Sequence, residues 1–241
     1  MSRTAKPRTS RRPAQPTEAA PEADSNGEGQ SLTDLAYRRL EELLVTLQLA
    51  PGSGVSEAEL SRRLGIGRTP IREALQRLAR ERLVLILPRR GIVVSEINAL
   101  TQLRLIETRR ELERLLSRRA AKRANPAERV RFRAIATGMA KAAEDEDDIA
   151  FMRLDQAFNG LVVEAARNEF AAGAMTLMHG LSRRYWYHHY KQVADLPLSA
   201  RLHGAVAEAI AAGEEAAAAA ASDRLMDYIE TFTRATVDAS L

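Results

Sequence analysis

The chain has 241 residues, 36 Lys and Arg against 32 Asp and Glu, 45% hydrophobic residues and no cysteine. This is room for one large or two ordinary domains with a real core, and it excludes a disulfide framework and a thiolate metal site. No apolar run reaches the length of a membrane span and the N-terminus lacks the apolar core of a signal peptide, so a soluble cytoplasmic protein is expected.

Charge is unevenly spread. Residues 1–30 carry +1 (5 basic, 4 acidic), residues 31–97 carry +3 (11 and 8) and residues 98–241 are balanced (20 and 20). Residues 1–30 hold four prolines among Ser, Thr, Gly and charges, with almost no large apolar side chain. Such a stretch cannot offset its ordering entropy, so a disordered tail is expected. Arg3, Lys6, Arg8, Arg11 and Arg12 would make it either a diffuse attractor for DNA or an inert extension.

Leu32, Leu35, Ala36, Leu40, Leu43, Leu44 and Leu47 keep helical spacing, which predicts a first helix over 32–49, ended by Pro51 and Gly52. Ser56 with Glu59 three residues on reads as a capping box, and Gly65 as the left-handed stop of a short second helix. Thr69 as cap and Pro70 in first position predict a third helix. Its Ile71, Ala74, Leu75 and Leu78 share one side, while Thr69, Arg72, Gln76 and Arg80 share the other. Arginine forks onto guanine and glutamine onto adenine, so this second face has the chemistry of base readout in a major groove. Free amides at the helix start, with Arg68, suit a phosphate. The apolar runs 83–87 and 92–94 flank Pro88, Arg89, Arg90 and Gly91, which predicts a hairpin with a basic tip, a wing beside the reading helix.

The string GIGRTPIREALQRLARERLV followed by PRRG resembles the winged helix-turn-helix of GntR-type bacterial transcription regulators, over about residues 31–97. The resemblance implies operator contacts by Arg68, Thr69 and Arg72, and a wing at Arg89, Arg90 and Gly91. Gly67 departs from the Ser or Thr common in the family, so a hydroxyl contact to phosphate is missing.

Beyond Asn98 strand signals stop. Amphipathic helices are predicted over 99–123, 126–144, 147–166, 169–191, 198–212 and 214–236, with Asn125, Pro126 and Glu128 as a strong helix start. The second half, residues 98–241, is therefore expected to be an all-α bundle, and the fold class mostly α. Polar residues set into its apolar stripes are Asp155 and Asn159 one turn apart, His203 among Leu202, Val206 and Ile210, and Tyr228 among Leu225, Met226 and Ile229. The segment 183–190 is the densest aromatic and basic cluster. It reads as a pocket wall, a subunit contact or an ordinary helix end packed by Trp186.

The order Arg109, Leu112, Glu113, then Asp155, Phe158, Asn168 and His203, then an Ala-rich helix, resembles the FCD effector domain of the FadR subfamily. Many members bind a divalent metal such as Zn or Ni through an Asp, a His four residues later and two further His. Asp155 and His203 match, whereas Asn159 and Tyr228 stand at the other places. An amide and a phenol are weak ligands, so a pocket binding an organic effector through Arg109, Asp155, Asn159, His203 and Tyr228 is expected instead.

The function expected is a ligand-responsive, dimeric DNA-binding repressor, not an enzyme, released from its operator by a small carboxylate-like metabolite. The alternatives are a metal-dependent hydrolase-like bundle tethered to DNA, and an architectural DNA-binding protein without an effector.

Overall fold

The structure, a computed structural model, describes residue 1 and residues 31–88, 91–193 and 195–238. The expected tail over 1–30 and the wing-tip Arg89 and Arg90 lie outside the described residues apart from Met1.

Three helices and a small sheet form the first unit: α1 Leu32–Val45, α2 Glu57–Leu64 and α3 Arg68–Arg80, with β1 Gly54–Val55, β2 Val84–Leu87 and β3 Gly91–Val94. Helix α1 stops before the predicted end. Thr46 returns its hydroxyl to the Glu42 carbonyl at 2.6 Å and Leu47 turns left-handed at φ 59°, so the chain leaves the helix well ahead of Pro51. In α2, Ser56 Oγ accepts from the Glu59 amide and Gly65 closes the helix at φ 67°. Helix α3 begins two residues earlier than expected. Gly67 is its N-cap and offers no side-chain bond, so Thr69 lies inside the first turn rather than capping it. The amides there are left open.

The hairpin pairs Val84 with Val94 and Leu87 with Gly91, whose φ of 85° suits a residue lacking Cβ. A third strand joins it, because β1 pairs antiparallel with β3 in the order β1-β3-β2. Leu40, Leu44, Leu60, Ile71, Leu75, Leu78, Leu83 and Val94 fill the core of this unit. Each such side chain contributes roughly 1.5–3 kcal/mol of burial.

Six helices follow: α4 Ala99–Arg123, α5 Pro126–Glu144, α6 Asp148–Ala166, α7 Glu169–Val193, α8 Leu196–Ala212 and α9 Glu215–Asp238. Asn125 and Glu128 complete a reciprocal capping box at 2.8 and 2.9 Å, which fixes the start of α5. Helix α4 lies against α9 and α6, α5 against α8 and α6, and α8 against α9. Their shared core holds Leu116, Phe132, Met139, Phe151, Phe158, Val206 and Ile210. Among the described residues no helix is long and apolar enough to cross a membrane.

The two cores are stitched together by α1 and α7. Leu181 of α7 packs on the core of the first unit, and Val45 of α1 belongs to the core of the bundle. Arg184, also on α7, is 2% exposed and donates to the carbonyls of Leu83, Ser95 and Glu96 and to the Ser95 hydroxyl.

Candidate functional site

Two features have the chemistry of recognition. The first is the outer face of α3. Ile71, Ala74, Leu75 and Leu78 are buried, which turns Arg68, Thr69, Arg72, Gln76 and Arg80 to solvent. Arg68 and Arg72 keep 65% and 56% of their side-chain surface, so neither is covered by the protein itself. Arg72 is held in a fork by Glu57 of α2, with Nε to Oε1 at 2.9 Å and Nη2 to Oε2 at 2.7 Å, and Arg68 approaches the same carboxylate at 4.0 Å. Between α3 and the wing runs an open groove of about 450 Å³, lined by Arg68, Arg72, Gln76 and Gly91 with Leu75, Ile86 and Ile92. Gly91 thus joins the α3 residues, and Thr69 stands exposed beside them.

The second feature is a cavity in the bundle, of about 40 Å³. Arg109 and Gln102 come from α4, Asp155 and Asn159 from α6, Ser182, Arg183 and Trp186 from α7, and His203 from α8. Four of the five effector-site residues expected from the sequence are therefore brought together. Tyr228 is not among them. Its hydroxyl donates to the Asp195 carbonyl at 3.3 Å, at the turn before α8.

The polar groups of the cavity are almost fully paired. His203 Nδ1 meets the Ser199 carbonyl at 2.8 Å and Nε2 lies 3.2 Å from Asp155 Oδ1, an arrangement suited to a ring protonated on both nitrogens. The second oxygen of Asp155 lies 3.0 Å from Arg183 Nε, and the Asn159 amide donates to Oδ1 at 3.1 Å. Arg109 donates to Glu113 and to the Ser182 hydroxyl, which in turn takes Gln102 at 2.9 Å.

Burial alone would push the Asp155 carboxyl up. The His203 hydrogen bond and charge, with Arg183 and Arg109 nearby, bring it down to about 2. Burial also works against ionised Glu113, and Arg109 with His179 brings that carboxyl to about 2. For His203 burial pulls the other way, downward, and the Asp155 carboxylate with the Ser199 carbonyl more than offsets it, so the ring holds its proton above the usual 6.5.

This donor set does not fit a divalent metal. Asp155 and His203 are already spent on each other, Arg183 occupies the place where a cation would neutralise Asp155, and Asn159 is neutral. Among the described residues no group of three or more His, Cys, Asp or Glu side chains is placed to hold an ion.

Sequence reasoning missed Gln102 and Ser182, and left the 183–190 cluster undecided. Gln102 and Ser182 carried no signal beyond being polar in helices. For Arg183, Tyr185 and Trp186 the density of large side chains was the signal, and they line the cavity.

Family models match the two halves in turn. Residues 32–94 match bacterial regulatory proteins of the gntR family, and residues 104–228, just over half the chain, match the FCD domain. The chain belongs to the GntR family and carries an FCD domain. This GntR-family chain is 27% identical to the HTH-type transcriptional repressor RspR of Escherichia coli over 174 residues, 72% of the chain and 76% of that protein. It is 45% identical over 62 residues to an HTH-type transcriptional regulator in an unstable DNA locus of Streptomyces ambofaciens, a match spanning 26% of each chain. In structure it is similar to E. coli McbR/YncC with a TM-score of 0.74 and 18% identity, over 87% of this chain and all of that one. The last comparison shows the fold alone. The family and these relatives are transcription regulators, not enzymes, which sets the hydrolase alternative aside. As a GntR-family regulator with an FCD domain, the chain is a DNA-binding protein that responds to a small molecule.

Proposed function

We propose that this regulator is a cytoplasmic homodimeric repressor that reads its operator through Arg68, Thr69, Arg72 and Gln76 of α3, with the wing at Arg89, Arg90 and Gly91 alongside. A small carboxylate-like metabolite entering the bundle cavity releases it. The observation that carries the effector half is the donor-rich lining of the cavity, where Arg109, Arg183 and His203 meet beside Asn159 and Gln102, each cation held by an internal carboxylate, Glu113, Glu41 or Asp155. An anionic guest would replace one of these internal carboxylates at a guanidinium fork or at the imidazolium, with Asn159 as a further donor. The observation that supports the DNA half is the exposure of Arg68 and Arg72 on a helix whose opposite face is buried. Two copies are needed to place two reading helices about one DNA turn apart.

The test begins with selection of bound sequences from a random duplex pool, which should return a near-palindrome, and with light scattering, which should give a dimer. A panel of small mono- and dicarboxylates is then screened by thermal shift and by displacement of the selected duplex. The reading predicts that one class raises the melting temperature and lowers DNA affinity. A pool with no enriched sequence would sink the DNA half. Ligands that stabilise the protein yet strengthen DNA binding would overturn the repressor assignment.

A further inference from the structure

The cavity and the DNA-reading unit share a buried row of charges. His203 on α8 lies 3.2 Å from Asp155 on α6, Asp155 lies 3.0 Å from Arg183 on α7, and Arg183 Nη1 donates to Glu41 on α1 at 2.8 Å. His203, Asp155, Arg183 and Glu41 are each no more than 8% exposed. Signs alternate along the row, and it leads from the effector cavity into the first helix of the DNA-binding unit. Gln156, one residue after Asp155 on α6, also donates to Glu41. A second cavity of about 260 Å³ lies on the α1 side, lined by Glu41, Tyr37 and Gln156, and Arg183 and Asn159 line both cavities.

We propose that Arg183 is the coupling residue of this regulator: it holds Asp155 in the cavity wall and Glu41 of α1 at the same time, so that the state of the cavity sets the hold on the DNA-reading unit. The proposal rests on the effector reading above and deepens it. Of the contacts made by Arg183, that to Asp155 is the looser. Nη2 donates to the Met152 carbonyl at 2.6 Å and Nη1 to Glu41, while Nε is close to Asp155 without making a directed hydrogen bond. A guest that binds Arg183 or His203 therefore competes first at Asp155. In a medium that screens poorly, loosening one member of an alternating row alters the pull on the next. Arg184, the neighbouring residue, grips the linker carbonyls and lines no part of the effector cavity, so it anchors rather than relays.

Coupling between two sites is reciprocal, so DNA must alter the cavity if the cavity alters DNA binding. Trp186, the single tryptophan of the chain, lines the cavity and reports on it without any effector. The experiment titrates full-length protein with the selected operator duplex, following bound DNA by the anisotropy of a label and the cavity by Trp186 emission. Wild type should bind with a change in emission. Glu41→Gln, which keeps size and an acceptor, and Arg183→Lys, which keeps charge but cannot span Asp155, Met152 and Glu41, should bind while the emission change falls to about a third or less. Arg153→Ala, which removes an exposed pair with Glu42 at the same seam, should behave as wild type. If Arg183→Lys fails to fold, Glu41→Gln decides alone. A full emission change in Glu41→Gln, or wild type that binds DNA with no change, overturns the relay and leaves the regulator reading standing. Wild type that binds no duplex overturns both.

Discussion

Arg72 of the reading helix is clamped by Glu57 of α2 in a two-bonded fork, at 2.9 and 2.7 Å. The same fork that would take a guanine is therefore occupied by a carboxylate, and DNA must displace it. Arg72→Ala should weaken binding to the selected operator roughly ten- to hundredfold. Because Arg72 is exposed, its melting temperature should not change. Glu57→Gln should bind DNA more tightly, and less selectively, than wild type. Competition binding against a scrambled duplex checks both, and an unchanged Arg72→Ala protein would remove this residue from base readout.

His203 and Asp155 tie stability to pH in opposite directions. The His203 ring holds its proton above 6.5 in the fold, so its contribution is complete below that pH and is lost as pH rises through the raised value. Asp155 falls from 3.8 to about 2, so its contribution is complete above 3.8 and is lost as pH falls toward 2. Urea denaturation should show stability decreasing from pH 6.5 up to the raised value, by up to about 1.4 kcal/mol per pH unit from His203. His203→Gln should flatten that alkaline limb. A limb unaltered by the substitution would assign it to other groups.

Gly180 of α7 sits directly against Leu83. A Cβ at this position would lie 2.7 Å from Leu83 Cδ1 and 3.5 Å from Glu41 Oε1, and Leu83 is fully buried. Gly180→Ala should cost about 1–3 kcal/mol by forcing the seam between α7 and the first unit apart. Adding Leu83→Val, which removes the offending methyl, should recover part of that loss. Chemical denaturation of the single and double variants tests this, and an additive double variant would mean that the two residues do not clash.

Arg184 is charged, buried and committed to backbone. Burial pushes its guanidinium down to about 10, with Glu96 opposing, so it remains a cation at neutral pH. Arg184→Met keeps most of the volume but strands the acceptors at Leu83, Ser95 and Glu96. The expected cost is about 2–4 kcal/mol, with the first unit and the bundle ceasing to melt together. A single cooperative transition of unchanged midpoint would show that the linker is held by other contacts.

What was legible in the sequence was local. Ser56 and Gly65 bound α2, and Asn125, Pro126 and Glu128 start α5, because each such signal is completed within four residues. The early end of α1 was not legible, since a leucine in the left-handed region has no sequence mark. Strand β1 was too short to show a period and exists only because β3 offers it an edge. The cap at Gly67 was hidden by the more obvious Thr69. For the cavity, Arg109, Asp155, Asn159 and His203 stood out as polar residues in apolar stripes. Which partner each one meets depends on helix packing, and so Tyr228 was drawn in while Arg183 was left undecided.

A chamber of about 40 Å³ is a tight fit for an organic acid. On the effector reading, a guest larger than the chamber enters as its walls on α4, α6, α7, α8 and α9 move apart, so the frequency of that breathing, and not the number of collisions, would limit how quickly the guest is captured. Stopped-flow mixing would then give a capture rate that levels off as the guest is made more plentiful.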